Sequence, residues 1–180
     1  MKATGVVRRI DDLGRIVIPK EIRKTLRIKE GTPLEIFTEK DGDIILKKYS
    51  PIGELANFSS AYVETLSTVT NYIAIVTDKD SVIAVSGIAK KDLLEQPITE
   101  NLEKIIDKRE IFIGNSDNFI PIVSKKDIES YPEIIVPIIS YSEVIGSIIL
   151  LNKDKSKNIS DTETQIAKIA ANFLGTQMEI

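Results

Sequence analysis

Neither cysteine nor histidine occurs anywhere in the 180 residues. Their absence excludes disulfides, thiolate nucleophiles, Cys/His zinc sites, haem held by either residue and every histidine-centred triad. The commonest general acid–base side chain is excluded with them. Asp, Glu, Lys and Tyr remain, but they fall into no paired catalytic motif. Long apolar runs are also missing: none reaches the roughly 18–20 residues that a membrane span needs. The start, MKATGVVRRIDD, has no apolar core and no cleavage-site pattern. A cytoplasmic, non-enzymatic protein without metal or cofactor is therefore expected. What is present is an ordinary globular composition, 42% hydrophobic and 28% charged, enough for one or two domains.

The net charge of −3 hides a polarity along the chain. Residues 1–50 hold 12 Lys/Arg against 8 Asp/Glu, and residues 51–180 hold 12 against 19. The first 29 residues alone hold nine basic and three acidic side chains. A basic end on an acidic body suggests that the end meets a polyanion. A solvated charged face would explain the cluster equally well without a fold to organise it.

That fold is legible in the first fifty residues. Residues 5–10 (GVVRRI) are rich in β-branched side chains and predict a strand. Asp11, Asp12, Leu13 and Gly14 predict a turn, and residues 15–18 (RIVI) a second strand that Pro19 stops. Proline suits the first position of a helix, where its missing N–H would be unpaired anyway. The helix is expected over residues 19–28, with Ile22 and Leu26 on a buried stripe and Arg23, Lys24 and Arg27 turned elsewhere. Residues 34–38 and 43–48 predict a hairpin around Asp41-Gly42. A β-β-α-β-β unit of this size buries too little surface to stand comfortably alone without metal, disulfide or oligomerisation. With the first two excluded, an obligate dimer is expected.

The run GVVRRIDDLGRIVIPKEIR, continued by KTLRIKEGTPLEIF and DGDIILKKY, resembles the swapped-hairpin DNA-binding domain of AbrB-type transition-state regulators. The resemblance implies an intertwined dimer, an N-terminal swapped-hairpin β-barrel that binds double-stranded DNA through basic side chains on one surface. At matching positions these are Arg8, Arg9, Arg15, Arg23 and Lys24. Lys24 stands where some relatives carry arginine, and lysine lacks the bidentate fork. Lys2, Lys20, Arg27 and Lys29 are weaker candidates, and Lys47 and Lys48 fit solvation of the last strand better. Dimerisation would double the five to ten cations on one face, making affinity fall with salt. Arginine can in addition read guanine edges or a narrow minor groove.

Ser50-Pro51 marks a boundary, giving domains over residues 1–50 and 71–180 joined by a helix over 51–70. In that helix Leu55, Ser59, Tyr62, Leu66 and Val69 recur at spacings of 4, 3, 4 and 3. Such a seam fits packing on its own sheet and pairing with a second copy equally well. Beyond it, strands are expected over residues 72–77, 82–85, 133–139 and 144–151, with weaker ones over 110–113 and 119–123. Helices are expected over 90–96 and 99–108. A last helix starts at Ser160, where Ser160 and Glu163 make a capping box. Its expected stripe is Ile166, Ile169, Ala170, Phe173 and Leu174.

This order, closing on VIGSIILLNKDKSKNISDTETQIAKIAANFLG, resembles a GAF domain, and the whole is α+β: a GAF-like α/β domain with an antiparallel central sheet flanked by helices. The resemblance implies a small-molecule sensor or an oligomerisation module that assembles homodimers into a homotetramer. The bilin, haem and methionine sulfoxide reductase subclasses need Cys or His and are excluded. The cyclic-nucleotide pattern is met only at Asn152-Lys153. Residues 114–131 are the candidate lid over a ligand of unidentified chemistry, with an ordinary surface excursion as the alternative. Ser86, Tyr131 and Tyr141 are equally candidates for its lining and ordinary core or rim residues. With the AbrB-type module, the architecture resembles sporulation regulators that activate and repress forespore genes. An antitoxin-like interaction protein is the rival reading, because some antitoxins share the N-terminal fold, although they end in a disordered tail.

Overall fold

The computed structural model describes residues 6–124 and 130–179. The chain divides into two compact units, Met1–Tyr49 and Ser50–Ile180.

The first unit is built on a hairpin. Strand β1 (Leu34–Thr38) pairs antiparallel with β2 (Ile44–Lys48), placing Phe37 opposite Ile45. Gly42 takes the left-handed conformation that the reversal requires (φ 85°) and donates its N–H to the Glu39 carbonyl. Lys47 lays its ammonium 4.8 Å from the centre of the Phe37 ring. Helix α1 (Lys20–Thr25) is shorter than the pattern predicts. Pro19 is its N-cap rather than its first residue, and Arg27 turns left-handed (φ 53°), ending the helix before Ile28. No residue of α1 is buried; Ile22 is half-buried and Leu26 exposed. The turn after Ile10 forms as expected, with the Gly14 N–H on the Asp11 carbonyl and the Asp11 N–H on the Arg15 carbonyl. The strands expected over residues 5–10 and 15–18 do not form a ladder within the chain among the described residues. Extended backbone with no neighbour on either side cannot be a strand by itself, which is why the pattern and the single chain disagree.

The second unit is a five-stranded antiparallel sheet in the order β4-β3-β7-β6-β5. Its centre is the hairpin β6 (Glu133–Ser140) and β7 (Glu143–Leu151), near-continuous runs of Ile, Val and Leu as expected of strands covered on both faces. Tyr141 and Ser142 both adopt positive φ, the two-residue turn that matches strand twist. Strand β3 (Ile73–Thr77) joins β7, β4 (Val82–Ser86) flanks β3, and β5 (Phe112–Gly114) flanks β6.

Alternation along the strands makes two cores. One contains Ala74, Val76, Ile134, Val136, Ile148 and Leu150, covered by α3 (Ala56–Thr70) and α5 (Asp161–Gln177). The other contains Ile73, Ile75, Val85, Ile135, Ile149 and Leu151 under Leu102 and Ile106 of α4 (Glu100–Lys108), with Ile122 and Val123 from the following loop. A short helix α2 (Pro51–Glu54) precedes α3; Ser50 caps it by accepting the Gly53 N–H at 3.0 Å. The capping box at Ser160 and Glu163 is present on α5.

Both outer helices bury part of their expected faces, Ser59 on α3 and Ala170 and Leu174 on α5, but sit rotated from the rest. On α3 the buried positions are Ser59, Val63 and Ser67; Tyr62 and Leu66 are half-buried and Val69 is 78% exposed. On α5 they are Ala167, Ala170, Ala171, Leu174 and Gly175, leaving Ile169 66% exposed and Phe173 partly so. Small residues face the sheet because the helix lies almost on it: a Cβ on Gly175 would sit 2.1 Å from the Ile139 carbonyl oxygen. The helix expected over residues 90–96 contracts to a 3₁₀ turn, Lys90–Asp92, since the chain bends back there and the Glu95 N–H pairs with the Val82 carbonyl. The strand expected over 119–123 is a single bridge between Ile98 and Val123. Among the described residues no helix is long and apolar enough to cross a membrane.

Gly146 of β7 faces the Thr77 carbonyl so closely that an added Cβ would lie 2.0 Å from that oxygen, against backbone that cannot swing aside. Gly146→Ala is expected to destabilise the second unit by about 3 kcal/mol, the upper end of the usual overpacking range. Denaturant unfolding followed by circular dichroism checks it.

Candidate nucleic-acid interface

The cations singled out by the sequence fall on three consecutive pieces of the first unit. Arg8 and Arg9 lie on the exposed extended stretch before the turn, and Arg15 follows the turn directly. Lys20 opens α1, while Arg23 and Lys24 occupy its last turn, all exposed. Arg27 follows in its left-handed conformation. Lys2 lies outside the described residues. Lys47 is engaged on Phe37.

Two arginines are already oriented by the chain. The Arg23 Nε–H donates to the Ile18 carbonyl at 3.2 Å, tying the helix to the segment that enters it. Arg15 is held more firmly by Asp11. One carboxylate oxygen accepts the Arg15 and Leu13 backbone N–H groups at 2.7 and 3.0 Å; the other accepts the Arg15 Nε–H at 2.8 Å. The Arg15 backbone N–H, then its guanidinium and then the Leu13 N–H hold the Asp11 carboxyl below its ordinary value. A lowered acid pKa means the interaction is complete above the ordinary carboxylate range and is lost only as pH falls through the lowered value. At neutral pH the turn and the direction of Arg15 are therefore set together. Sequence reasoning assigned Asp11 to local backbone bonding but missed its grip on the Arg15 side chain; the i, i+4 spacing of opposite charges was the available sign.

In the second unit Ser86, at the end of β4, and Tyr131, just before β6, lie towards one end of the sheet, whereas Tyr141 sits in the β6–β7 turn at the other. Tyr141 bonds Glu179 instead, its O–H to the carbonyl at 2.7 Å and its N–H to the carboxylate at 2.8 Å. Lys155 stands 5.3 Å from the Tyr131 ring centre. A shallow groove of about 180 Å³ runs between β6 and α5, lined by Val136, Ile139, Lys168 and Asn172. Phe58, Tyr62 and Phe173 form an aromatic cluster between α3 and α5, with centroids 5.4–6.1 Å apart.

Over residues 54–179 the chain matches the family described as stage V sporulation protein T C-terminal, transcription factor. It belongs to this family. Residues 7–54 match the family described as antidote-toxin recognition MazE, bacterial antitoxin. The chain is 45% identical to stage V sporulation protein T of Bacillus subtilis over 99% of each chain. It is 59% identical to the transition state regulatory protein AbrB of the same organism, over 28% of this chain and 52% of that one. The second unit shares its fold with the GAF domain of an Acinetobacter phosphoenolpyruvate-protein phosphotransferase, with TM-score 0.57 at 13% identity over 73% of this chain and 84% of that one. The protein is thus a sporulation transcription regulator that joins an AbrB-like DNA-binding domain to a GAF-like domain.

The role of Asp11 separates by substitution. Asp11→Asn keeps an oxygen for the two backbone N–H groups and should leave thermal stability of the first unit close to wild type. Asp11→Ala removes that oxygen and should lower it, by differential scanning calorimetry of the full chain.

Proposed function

We propose that two copies of the first unit, residues 1–50, interleave into one β-barrel and that the barrel presents Arg8, Arg9, Arg15, Arg23 and Lys24 of each copy to double-stranded DNA. The supporting observation is the apolar surface that a single copy leaves in solvent. Val7 is 89% exposed, and Ile10, Leu13, Ile16, Val17, Leu26, Ile36 and Ile44 are all more than half exposed. Isolated exposed apolar residues are normal, but this many in so small a unit mark a surface awaiting a partner. The unpaired extended stretches 6–10 and 15–18 supply the strands for it, each finding its ladder in the other copy. Two-fold symmetry then doubles the five cations. Lys20 and Arg27 lie at the margin of that surface.

The second unit, on this reading, joins dimers into a homotetramer through the outer face of α3 and α5. Phe58 and Phe173 are partly exposed there, and Val69 and Ile169 mostly so. The rotation that turned these residues away from the sheet leaves them for a second copy. A small molecule acting on this domain would alter how two DNA-binding barrels are spaced, and so activation or repression at forespore promoters in the cytoplasm. The protein acts by binding, not by catalysis. The match of residues 7–54 to antitoxins supports the shared fold rather than toxin neutralisation, because residues 54–179 match a transcription factor family.

Removing a cation that neutralises a phosphate should shallow the salt dependence by about one unit of slope, and each substitution acts twice in the dimer. Arg8→Ala and Arg23→Ala are therefore expected to weaken operator binding and flatten the salt slope, measured by footprinting across ionic strengths. Normal binding with an unchanged slope would remove them from the interface. Phe173→Glu should reduce the assembly from tetramer to dimer in sedimentation velocity while leaving the barrel dimer intact.

A further inference from the structure

Among the groups that the DNA-binding function does not use, Glu133 stands apart. It is the first residue of β6, it is 0% exposed, and it points to the same face as Ile135, the face covered by α4. Its neighbours across the ladders are Gly114 of β5 and Leu151 of β7. Packing against Gly114 is close: a Cβ there would come within 3.1 Å of Glu133 Cγ and Oε1. Oε1 accepts the Ile120 N–H at 2.6 Å. Oε2 is fully enclosed and has no hydrogen-bond partner among the described residues.

Among the described residues no countercharge reaches it. β5 carries no titratable residue. Among the described residues the titratable groups of the surrounding elements are Asp117 on the loop before Ile120, Tyr131 just before β6, Lys153 and Lys155 after β7, Glu100, Glu103, Lys104, Asp107 and Lys108 on α4, and Arg109 and Glu110 ahead of β5, and none acts on this carboxyl. Burial alone raises its pKa to about 8, only partly opposed by the Ile120 N–H. An unpaired carboxylate in this setting would cost more than the local structure can hold, so ionisation must admit water or move a wall.

The wall that can move is the one joined by few bonds. Residues 115–121 reach the sheet through the Ile120 N–H on Glu133. Just beyond, the Thr99 hydroxyl donates to the Pro121 carbonyl at 2.6 Å and the Thr99 N–H to the Ile122 carbonyl at 2.9 Å. The side chains of Asn115 and Asn118 accept backbone N–H groups of their own turn. We propose that Glu133 is a proton-operated latch: the Ile120 segment closes over the neutral acid, and loss of its proton leaves a carboxylate whose enclosed, unpartnered oxygen needs water that the Ile120 N–H cannot replace, so that segment lifts and opens the α4 face of the GAF-like domain. The sign follows from the raised pKa. Closure is fully supported below the ordinary glutamate range, weakens as pH rises, and is lost through about 8. The latch needs no property of the DNA-binding unit.

Hydrogen exchange on the full chain tests it, with rates corrected for the intrinsic effect of pH. Protection of Ile120 and its neighbours should fall about tenfold per pH unit between the ordinary glutamate range and about 8 and level off above it, while β3 and β7 stay protected. Glu133→Gln keeps the acceptor for the Ile120 N–H without a titrating proton, and its protection should not change with pH. Flat protection in the wild type, or the same fall in the Gln variant, overturns the latch. If the Gln variant does not fold, the δ-carbon of Glu133 in wild-type protein labelled with ¹³C-glutamate decides. Titration near the raised value supports the proposal, and titration in the ordinary carboxylate range refutes it.

Discussion

Fifty residues that contain neither cysteine nor histidine must find most of their buried surface outside themselves, and the first unit is shaped by that constraint. Its hairpin and short helix bury nothing of α1, and its extended stretches carry Val7, Ile10, Ile16 and Val17 into solvent. A unit of this size gains too little from its own core to offset the entropy of ordering its chain. A second copy supplies both the missing apolar contacts and the missing strand ladders. Function follows from the same requirement, because the arginines sit on the very segments that a partner must organise. Asp11 fixes one of them before any partner arrives, through a turn that both reverses the chain and aims Arg15.

The second unit meets the opposite condition. Its central hairpin is covered on both faces, so its strands are apolar at nearly every position and its two cores are independent. One face is closed by helices that pack through alanine, serine and glycine and turn their large side chains outward. The other is closed by α4 and by a loop whose attachment includes an acid with an unpaired oxygen. On the proposed reading the two faces have separate uses: the first serves assembly, the second a local change of state.

Much of this was legible in the residues, and the exceptions are instructive. Turns and caps read true where one side chain decides them, as at Gly42 and Ser160. The central hairpin was equally plain, because long β-branched runs admit few alternatives. Helix faces were misread by a fraction of a turn. On α5 the pattern favoured Ile169 and Phe173, but close approach to β6 selects small residues, and their size matters more than their hydropathy. The stretches expected as strands over 5–10 and 15–18 carry strand chemistry without a ladder among the described residues, something no local pattern can reveal. Glu133 was hidden for a related reason: an acid at the start of a strand looks like an exposed edge, and only the fold puts a loop over it. The five cations proposed to face DNA rest on the family resemblance, since charge alone did not distinguish a binding surface from a solvated one.

The central claim is that the N-terminal unit is completed by a second copy. Methyl-labelled and unlabelled full-length chains, mixed under conditions that exchange subunits, allow nuclear Overhauser effects between copies to be isolated. The account predicts intermolecular contacts from the methyl groups of Val7, Ile10, Ile16 and Val17. Contacts for these residues that are wholly intramolecular, in a unit that stays folded, would contradict it.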